Sequence, residues 1–383
     1  MKKLALISVV GLILTGCGGS DSNSNGSNDN NTQVPSAIQG TIDSVSGNTI
    51  VVNGYSYQVD SANYAGEDVA IADLEKNMMV SISSNARSAS AHTSRAQVSL
   101  EPTIVGLISD ANHNNGTFKV NGIALTFTDL SREIENSDWV MVSSLPTANA
   151  GYKVLSVVKF EPSDEYETVE VEGLITNLNL NTLTFNLGGA LNVEYTVDSI
   201  DNDSNESELA DGLWVEVTGS MVGSVLKADE VEVEDFDEID NDTEIEGTIT
   251  SVANDKSSFQ LSFKGHFLVD ENTRYEDGSK SKLTVDTEVE VTTKKVNGRN
   301  VATKIEFERD VDLEGTVQSI YLEGSSFEMT SLHGNQTIHV NKNTQFEDGL
   351  TFENLAIGDL IEVEAYKVNS QYIAIEIEAE DND

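Results

Sequence analysis

The sequence predicts an all-β protein made of five small barrels in tandem, and three observations support this. A short motif, Ile-Glu-Gly-Thr-Ile at residues 245–249, returns in related form four more times at intervals of 66 to 74 residues. Such self-similarity is typical of tandem structural units. Between the motifs, short segments of alternating apolar and polar residues are separated by glycine turns, and no long stretch has helical periodicity. The motif glycines are Gly40, Gly106, Gly173, Gly247 and Gly315.

The first unit illustrates the order of the predicted elements. An opening strand at residues 40–45 is followed by a turn and a second strand at residues 49–52. Asn53 and Gly54 then predict a tight hairpin, because both central positions of a type I′ turn require positive φ. A third alternating strand follows at residues 55–59.

The other units repeat this order, and every unit continues with two further strands. A glycine matches Gly54 in each of them, and a polar loop then leads through a leucine or isoleucine to an alternating strand. A final alternating strand closes the unit. Five short strands in about 65 residues suit a closed barrel of the OB type better than an open sheet, since closure removes exposed edges. The matching glycines are Gly122, Gly189, Gly265 and Gly334.

These patterns divide the chain into a leader, a tether, five repeats and one interruption. A lone unit of this size buries little surface, so we expect neighbouring units to touch. The acidic interruption is the place where we expect a hinge. The segments are a signal peptide at 1–16, a flexible linker at 17–36, repeats at 37–102, 103–163 and 164–235, an acidic linker at 236–243, and repeats at 244–309 and 310–383.

The N-terminus has the pattern of an export signal. Lys2 and Lys3 precede an apolar run at residues 4–14 that is too short for a comfortable membrane span. The string that ends in Cys17 resembles the lipobox of bacterial lipoproteins. This resemblance implies cleavage before Cys17 and acylation of it, and Gly18 after it implies the outer membrane; the alternative is a buried apolar cysteine. Residues 18–36 predict a tether with a mean reach of about 25 Å.

The repeat as a whole also has a known counterpart. Its motif, its Asn-Gly hairpin and its Leu, Gly-Asp and Val-Glu-Val positions resemble an uncharacterised repeat domain of exported bacterial lipoproteins, a domain of unknown function. The similarity spans residues 37–381, and unit two departs from it with Ser137 and Asp138 where the pattern has Gly-Asp. The resemblance implies a small β-barrel and secretion, and it implies no activity.

The chain is strongly acidic, with 65 acidic and 22 basic residues and a formal net charge of −43. This charge excludes nucleic acid as a natural partner, and it disfavours binding to an anionic bilayer through a basic face. The charge is uneven: residues 163–235 contain 18 acids and one base, whereas residues 244–309 contain 12 acids and 10 bases. We interpret the acids as a solvated, self-repelling surface, with cation binding as the alternative.

Alternating glutamates on three closing strands are predicted to lie on the wet outer face, where they discourage edge pairing. With one cysteine in the chain, no intramolecular disulfide forms. The alternating glutamates are Glu230, Glu232 and Glu234, then Glu306 and Glu308, then Glu376, Glu378 and Glu380.

Two acidic loops are candidates for calcium, which takes six to eight oxygen ligands from flexible loops. Neither loop fits the EF-hand pattern. Two tryptophans, Trp139 and Trp214, occupy the same place in their units. They predict either plugs between adjacent units or a stacking platform for a sugar ring. The candidate calcium ligands are Asp201, Asp203, Asp235, Asp237, Asp240 and Asp242.

No nucleophile elbow, Walker loop or dinucleotide fingerprint occurs in the sequence. The leading hypothesis is a non-enzymatic, lipid-anchored cell-envelope protein that acts as a spacer or as a binding module. The runner-up is a carbohydrate-binding or adhesin-type surface protein with calcium-stabilised junctions, for which a polysaccharide or a surface protein is the partner. A hydrolase is a distant third.

Overall fold

The computed structural model describes the repeat region with short gaps. Cys17, the predicted signal peptide and almost all of the tether lie outside the described residues. The described residues are 35, 37–84, 94–162, 168–201, 209–236, 239–307, 311–322, 325–331, 334–340, 344–347, 349–368 and 371–379.

The described chain is all-β with tandem repeats, as predicted, and its helical content is limited to single 3-10 turns such as Ile71–Asp73. The strands of unit one are β1 (Ala37–Ser46), β2 (Thr49–Val52), β3 (Tyr55–Tyr64), β4 (Glu67–Val69), β5 (Met79–Ser84) and β6 (Ser94–Leu100). Those of unit two are β7 (Ile104–Asn112), β8 (Thr117–Val120), β9 (Ile123–Thr126), β10 (Trp139–Pro146) and β11 (Tyr152–Phe160).

The remaining three units follow the same order. Unit three contains β12 (Val169–Asn179), β13 (Thr184–Leu187), β14 (Leu191–Glu194), β15 (Trp214–Val222) and β16 (Val225–Val233). Unit four contains β17 (Thr243–Val252), β18 (Ser258–Leu261), β19 (Gly265–Leu268), β20 (Arg274–Glu276), β21 (Glu288–Val296) and β22 (Arg299–Phe307). Unit five contains β23 (Val311–Tyr321), β24 (Ser326–Ser331), β25 (Gly334–His339), β26 (Gln345–Phe346), β27 (Leu360–Val368) and β28 (Gln371–Ala379).

The sheets are barrel-like because their strands pair in rings. In unit one, β1 pairs with β2, β2 with β3, β3 with β6 in parallel, β6 with β5, and β5 again with β1. Units three, four and five close in the same order. Unit two differs, since among the described residues no ladder joins β9 to β11. The repeat architecture is therefore confirmed, and the closed ring is present in four units.

The motif glycine is required by what lies against it. A Cβ atom on Gly40 would come within 2.2 Å of Asn53 Oδ1, and one on Gly106 would come within 2.0 Å of Asn121 Oδ1. These asparagines belong to the predicted Asn-Gly hairpins and have φ angles of 48° and 53°. In units one and two the motif glycine and the hairpin asparagine therefore form one packing contact, in which the asparagine covers the opening strand.

Each unit has an apolar interior, but the interiors are not all separate. Units one, four and five have their own clusters, whereas the cores of units two and three merge into one. Val105 and Met141 of unit two also pack into the cluster of unit one. The described chain therefore has several cores, as a repeat protein requires, and some of them are continuous. No helix in the described part of the chain is long and apolar enough to cross a membrane.

The units do not form a string in which each one touches only its sequence neighbours. Strand β1 of unit one pairs in parallel with β17 of unit four, from Ala37 opposite Thr243 to Gln39 opposite Ile245. Strand β7 of unit two pairs antiparallel with β12 of unit three. Both contacts use the first half of an opening strand, so the motif that marks each unit also joins the units.

The acidic linker between units three and four is fastened rather than open, which differs from the expected hinge. The ring of Phe236 is 6% exposed and packs into the core of unit four, 6.0 Å from Phe267 between ring centroids. Asn300 Nδ2 donates to the carbonyl of Phe236 at 2.8 Å, and the amide of Asp242 donates to the carbonyl of Thr293 at 2.8 Å. The segment is therefore held against unit four at Phe236 and again at Asp242.

We therefore expect Phe236→Ala to destabilise the protein by about 3–5 kcal/mol, because it empties a buried aromatic site. Urea unfolding measures this loss, and limited proteolysis should show new cleavage between units three and four. Ile357→Ala is the matched control, since Ile357 is 69% exposed and its truncation should change stability by less than about 0.5 kcal/mol. Equal effects of the two substitutions would contradict a docked linker.

Candidate functional site

Units one to four meet at a common junction, where every pair of units is in direct contact. These contacts are hydrogen bonds or ion pairs, so they fix the orientation of the units as well as their proximity. They are Met79 N to Ser143 Oγ at 2.9 Å, Tyr64 Oη to Glu170 Oε2 at 2.7 Å, Thr41 N to Glu246 Oε2 at 2.6 Å, Tyr152 Oη to the carbonyl of Glu172 at 2.7 Å, Ala148 N to Asp286 Oδ1 at 2.6 Å, and Lys264 Nζ to Glu172 Oε2 at 2.9 Å.

Lys264 is the central cation of this junction. Its side chain is 9% exposed, and Nζ lies 2.9 Å from Glu172 Oε2 and 3.0 Å from Glu234 Oε2. Burial alone would lower the pKa of Lys264, but the two carboxylates raise it above its ordinary value. The lysine is therefore charged and neutralises acids that unit three alone leaves without a basic partner.

Trp214 lies beside this ion pair and is closed off from solvent. It is 1% exposed, and its Nε1 donates to Glu172 Oε2 at 2.8 Å. Its ring stacks on Phe263 of unit four, with centroids 5.7 Å apart and an interplanar angle of 2°. On another side it contacts Tyr152 of unit two at 6.3 Å. Trp214 thus occupies the position of a plug between three units.

A cavity of about 40 Å³ opens at the same junction and is lined by residues of all four units. Its polar lining includes Glu101, Glu172, Glu246 and Lys264. Ser144 also lines it; this residue is 5% exposed, and its Oγ has no hydrogen-bond partner. Since about 10–15 Å³ of such space accommodates one water molecule, the cavity has the size for a few water molecules and not for a sugar ring.

The acids around the junction hold their protons unusually tightly. Burial raises the pKa of Glu101 to about 7, and the nearby carboxylates Glu234 and Glu172 add to this. Burial likewise raises the pKa of Glu170 to about 8 and that of Glu246 to about 7. Each of these carboxylates still accepts a hydrogen bond, for example from Ser81 Oγ to Glu101 Oε1 at 2.7 Å.

A second ionic cluster lies where unit four meets unit one. Lys304 Nζ is 3.0 Å from Glu244 and 2.9 Å from Glu306, and it sits 5.9 Å from the ring centre of Tyr55 in unit one. Burial, with the negative charge of Glu244 nearby, raises the pKa of Glu290 to about 9. Unit four therefore supplies the buried lysines of both clusters.

The predicted wet glutamate faces are partly enclosed. Glu234 pairs with Lys264 and Glu306 pairs with Lys304, so both side chains belong to ionic clusters. Glu308 and Glu380 lie outside the described residues. Glu230, Glu232, Glu376 and Glu378 are half-buried. Glu234 and Glu306 keep 23% and 25% of their side chains exposed, so the strand face that was expected to lie in water is enclosed in part at these two positions.

Only some of the candidate calcium ligands lie within the described residues. Asp203 and Asp237 lie outside the described residues, and Asp235, Asp240 and Asp242 are exposed in the segment that leads into β17. Within the described ranges, no group of three or more His, Cys, Asp or Glu residues is arranged to hold a metal ion. The calcium sites stay a prediction.

The other predicted ligand residue, Trp139, is half-buried. Its side chain packs against the core of unit one and against the merged core of units two and three. Nearby, Tyr64 of unit one meets Phe160 of unit two edge to face at 5.6 Å. Trp139 and Trp214 therefore contact different neighbouring units and do not share one surface.

A family model described as "Domain of unknown function (DUF5666)" matches residues 39–90, 172–232, 246–306 and 314–378. The chain belongs to this family. The four matched segments coincide with units one, three, four and five of the DUF5666 chain, and unit two lies outside them. Unit two is also the unit in which, among the described residues, no strand ladder closes the ring.

Comparisons with other proteins add little to the family. No curated protein matches the DUF5666 chain. A copper-bound CusF variant from Escherichia coli is 11% identical and covers 19% of this chain and 92% of its own, with a TM-score of 0.17. A multidomain protein with nucleic acid binding domains from Streptococcus pneumoniae is 9% identical and covers 56% of this chain and 74% of its own, with a TM-score of 0.15. Both TM-scores are low, and neither similarity bears on function.

We expect Lys264→Met to destabilise the four-unit block by about 3–5 kcal/mol, because it leaves Glu172 and Glu234 buried without a counter-charge. Methionine keeps the apolar stem, so the loss reports on the charge. Lys227→Met is the matched control, since Lys227 and its partner Glu194 are 43% and 47% exposed and such pairs contribute at most about 1 kcal/mol. Denaturant unfolding followed by tryptophan fluorescence measures both variants.

The free energy of unfolding should fall as the pH rises from about 4.5 to about 8. Glu101, Glu170 and Glu246 have a higher pKa in the folded state than the ordinary 4.5, so between these values the folded state binds more protons than the unfolded state. For Glu101 the difference corresponds to about 3 kcal/mol. Glu101→Gln should flatten the dependence, whereas Glu353→Gln removes an exposed carboxylate and should not. A stability that rises over this range would contradict the prediction.

Proposed function

We propose that this DUF5666 chain is a non-enzymatic, lipid-anchored protein of the bacterial cell envelope that holds a rigid block of repeats away from the outer membrane. In this proposal Cys17 carries the lipid, residues 18–36 are the tether, and five small OB-like barrels form the spacer or binding body. The observation that supports it best is the junction at which all pairs among units one to four are in contact.

The use of the buried polar groups supports a structural role. Carboxylates with raised pKa values often mark active sites, but two of the three at the junction, Glu170 and Glu246, accept hydrogen bonds from another unit. Glu246 accepts hydrogen bonds from both the amide and the hydroxyl of Thr41, and Glu170 accepts one from Tyr64. These groups are engaged in joining units, and the cavity beside them is too small for a substrate larger than a few water molecules.

A calcium-stabilised carbohydrate or surface-protein binder is the second candidate, and one observation favours it. Burial, with the negative charge of Asp201 nearby, raises the pKa of Glu230, and burial together with Glu234 and Asp201 raises the pKa of Glu232 to about 7. An opposite charge close to a carboxylate favours its ionised form, so a bound cation would offset the part of these pKa shifts that comes from the neighbouring carboxylates. In this candidate the half-buried group of Asp201, Glu230 and Glu232 in unit three is therefore the place where calcium would act.

Cys17→Ser tests the anchor. We expect the native chain to sediment with membranes and the Cys17→Ser variant to be recovered in the soluble fraction, because the hydrophobic contribution of about 0.8 kcal/mol per buried methylene is lost with the acyl chains. Ser20→Ala, three residues away in the predicted tether, is the control and should remain with the membrane. Recovery of both variants with the membrane would reject lipid anchoring through this cysteine.

The same purified Cys17→Ser protein separates the two candidates. A spacer should keep its melting temperature when millimolar calcium or a polysaccharide panel is added, whereas a binder should be stabilised by mass action. A calcium shift that disappears in Asp201→Asn would favour the second candidate.

A further inference from the structure

The opening strand of unit five has an edge that no other described strand covers. Its first four residues, Val311–Glu314, pair with β27 on one side. On the other side, β24 begins to pair only at Gly315 and continues toward Tyr321. Within the described ranges no further strand lies beside Val311–Glu314, so the backbone groups of this half-strand that point away from β27 face an open edge.

In the other four units the same half-strand is occupied by another unit. Residues 37–39 of β1 pair with residues 243–245 of β17, and residues 104–105 of β7 pair with residues 170–171 of β12. Repeat-to-repeat pairing at this edge therefore occurs twice within one chain. With five units, one edge is left over, and it belongs to unit five.

The side chains agree with this difference. The glutamate before the motif glycine is 9% exposed in unit three, where it is Glu172 at the junction, but the equivalent Glu314 of unit five is exposed. Unpaired edges of this kind readily pair with another chain. Because the occupant of every other such edge is a copy of the same repeat, the chemistry that fits is a second repeat of this kind.

We propose that two copies of this chain associate through unit five, with the Val311–Glu314 edges of the two copies paired antiparallel. The contact between units two and three is the internal precedent for this geometry. There Ile104 lies opposite Val171, and each is two residues before its motif glycine, so equivalent positions face each other. A symmetric dimer requires such a self-complementary contact, and Leu313 is the equivalent residue in unit five.

Charge makes this dimer weaker than the internal contacts. Between units two and three, the acidic Glu170 lies opposite the apolar Val105. In the symmetric pair of unit five, residue 314 of one copy lies opposite residue 312 of the other, and both positions are acidic in the sequence. Like charges directly opposite each other oppose pairing, and salt screens this repulsion. The dimer is therefore expected to strengthen with salt.

Sedimentation velocity of residues 18–383, prepared without the leader and the lipid, tests the proposal at low and high salt. Glu314→Lys should tighten the dimer about tenfold at low salt, because it places a cation opposite each acidic residue 312. Glu353→Lys makes the same change of net charge in the exposed loop before β27 and should leave the association unchanged. Glu314→Pro should abolish the dimer and keep the melting temperature, since an open edge tolerates a residue without an amide hydrogen.

Each outcome either supports or overturns the proposed dimer. Salt-strengthened dimers that Glu314→Lys tightens and Glu314→Pro removes support the pairing. A Glu314→Lys variant that stays monomeric would overturn it and leave the edge to a different occupant. Equal tightening by Glu314→Lys and Glu353→Lys would show that net charge alone controls association, and it would also overturn the pairing. The test does not depend on the lipid anchor, so it can fail or succeed separately from the proposed function.

Discussion

The arrangement of the DUF5666 chain depends on the fact that each opening strand has two halves with different neighbours. The second half forms a hairpin with the next strand of its own unit, whereas the first half has within its own unit only one neighbour, which is β5 in unit one. The other side of that half carries amide and carbonyl groups that need partners once they are buried. Pairing these half-strands between units satisfies them, and it adds buried surface to units that are too small to be very stable alone.

Bringing the half-strands together also brings their outward side chains together, and these are acidic. In the four-unit block Glu172, Glu246 and Glu244 are enclosed and need donors. Lys264 and Lys304 of unit four and Thr41 of unit one provide them. A buried ion pair adds little net stability, yet removing one partner is costly. The pair between Lys264 and Glu172, which joins units four and three, therefore discriminates between correct and incorrect neighbours among similar units.

Much of this fold was predictable from particular residues. The Asn-Gly pairs at Asn53 and Asn121 predicted tight hairpins, and the positive φ angles of both asparagines agree with that turn type. The junction was harder to foresee, although one signal pointed to it. Unit three has almost no bases and unit four has many, and this asymmetry is what two faces that bury charge against each other require. The acidic linker was expected to be a hinge because of its many acidic residues. Phe236, which packs into the core of unit four, is the one aromatic residue of that run, and its significance was not recognised.

The sequence by itself determined the local elements and their repetition, because strand alternation, hairpin turns and the close contact at the motif glycine depend on residues near one another in the chain. Only the tertiary structure decided which units pair, which glutamates are buried, and that unit one meets unit four across about two hundred residues. The physical reason is that the outward face of a strand has the same alternating pattern whether water or another unit covers it. Its partner is selected by the shape and charge of a surface that does not exist until both units have folded.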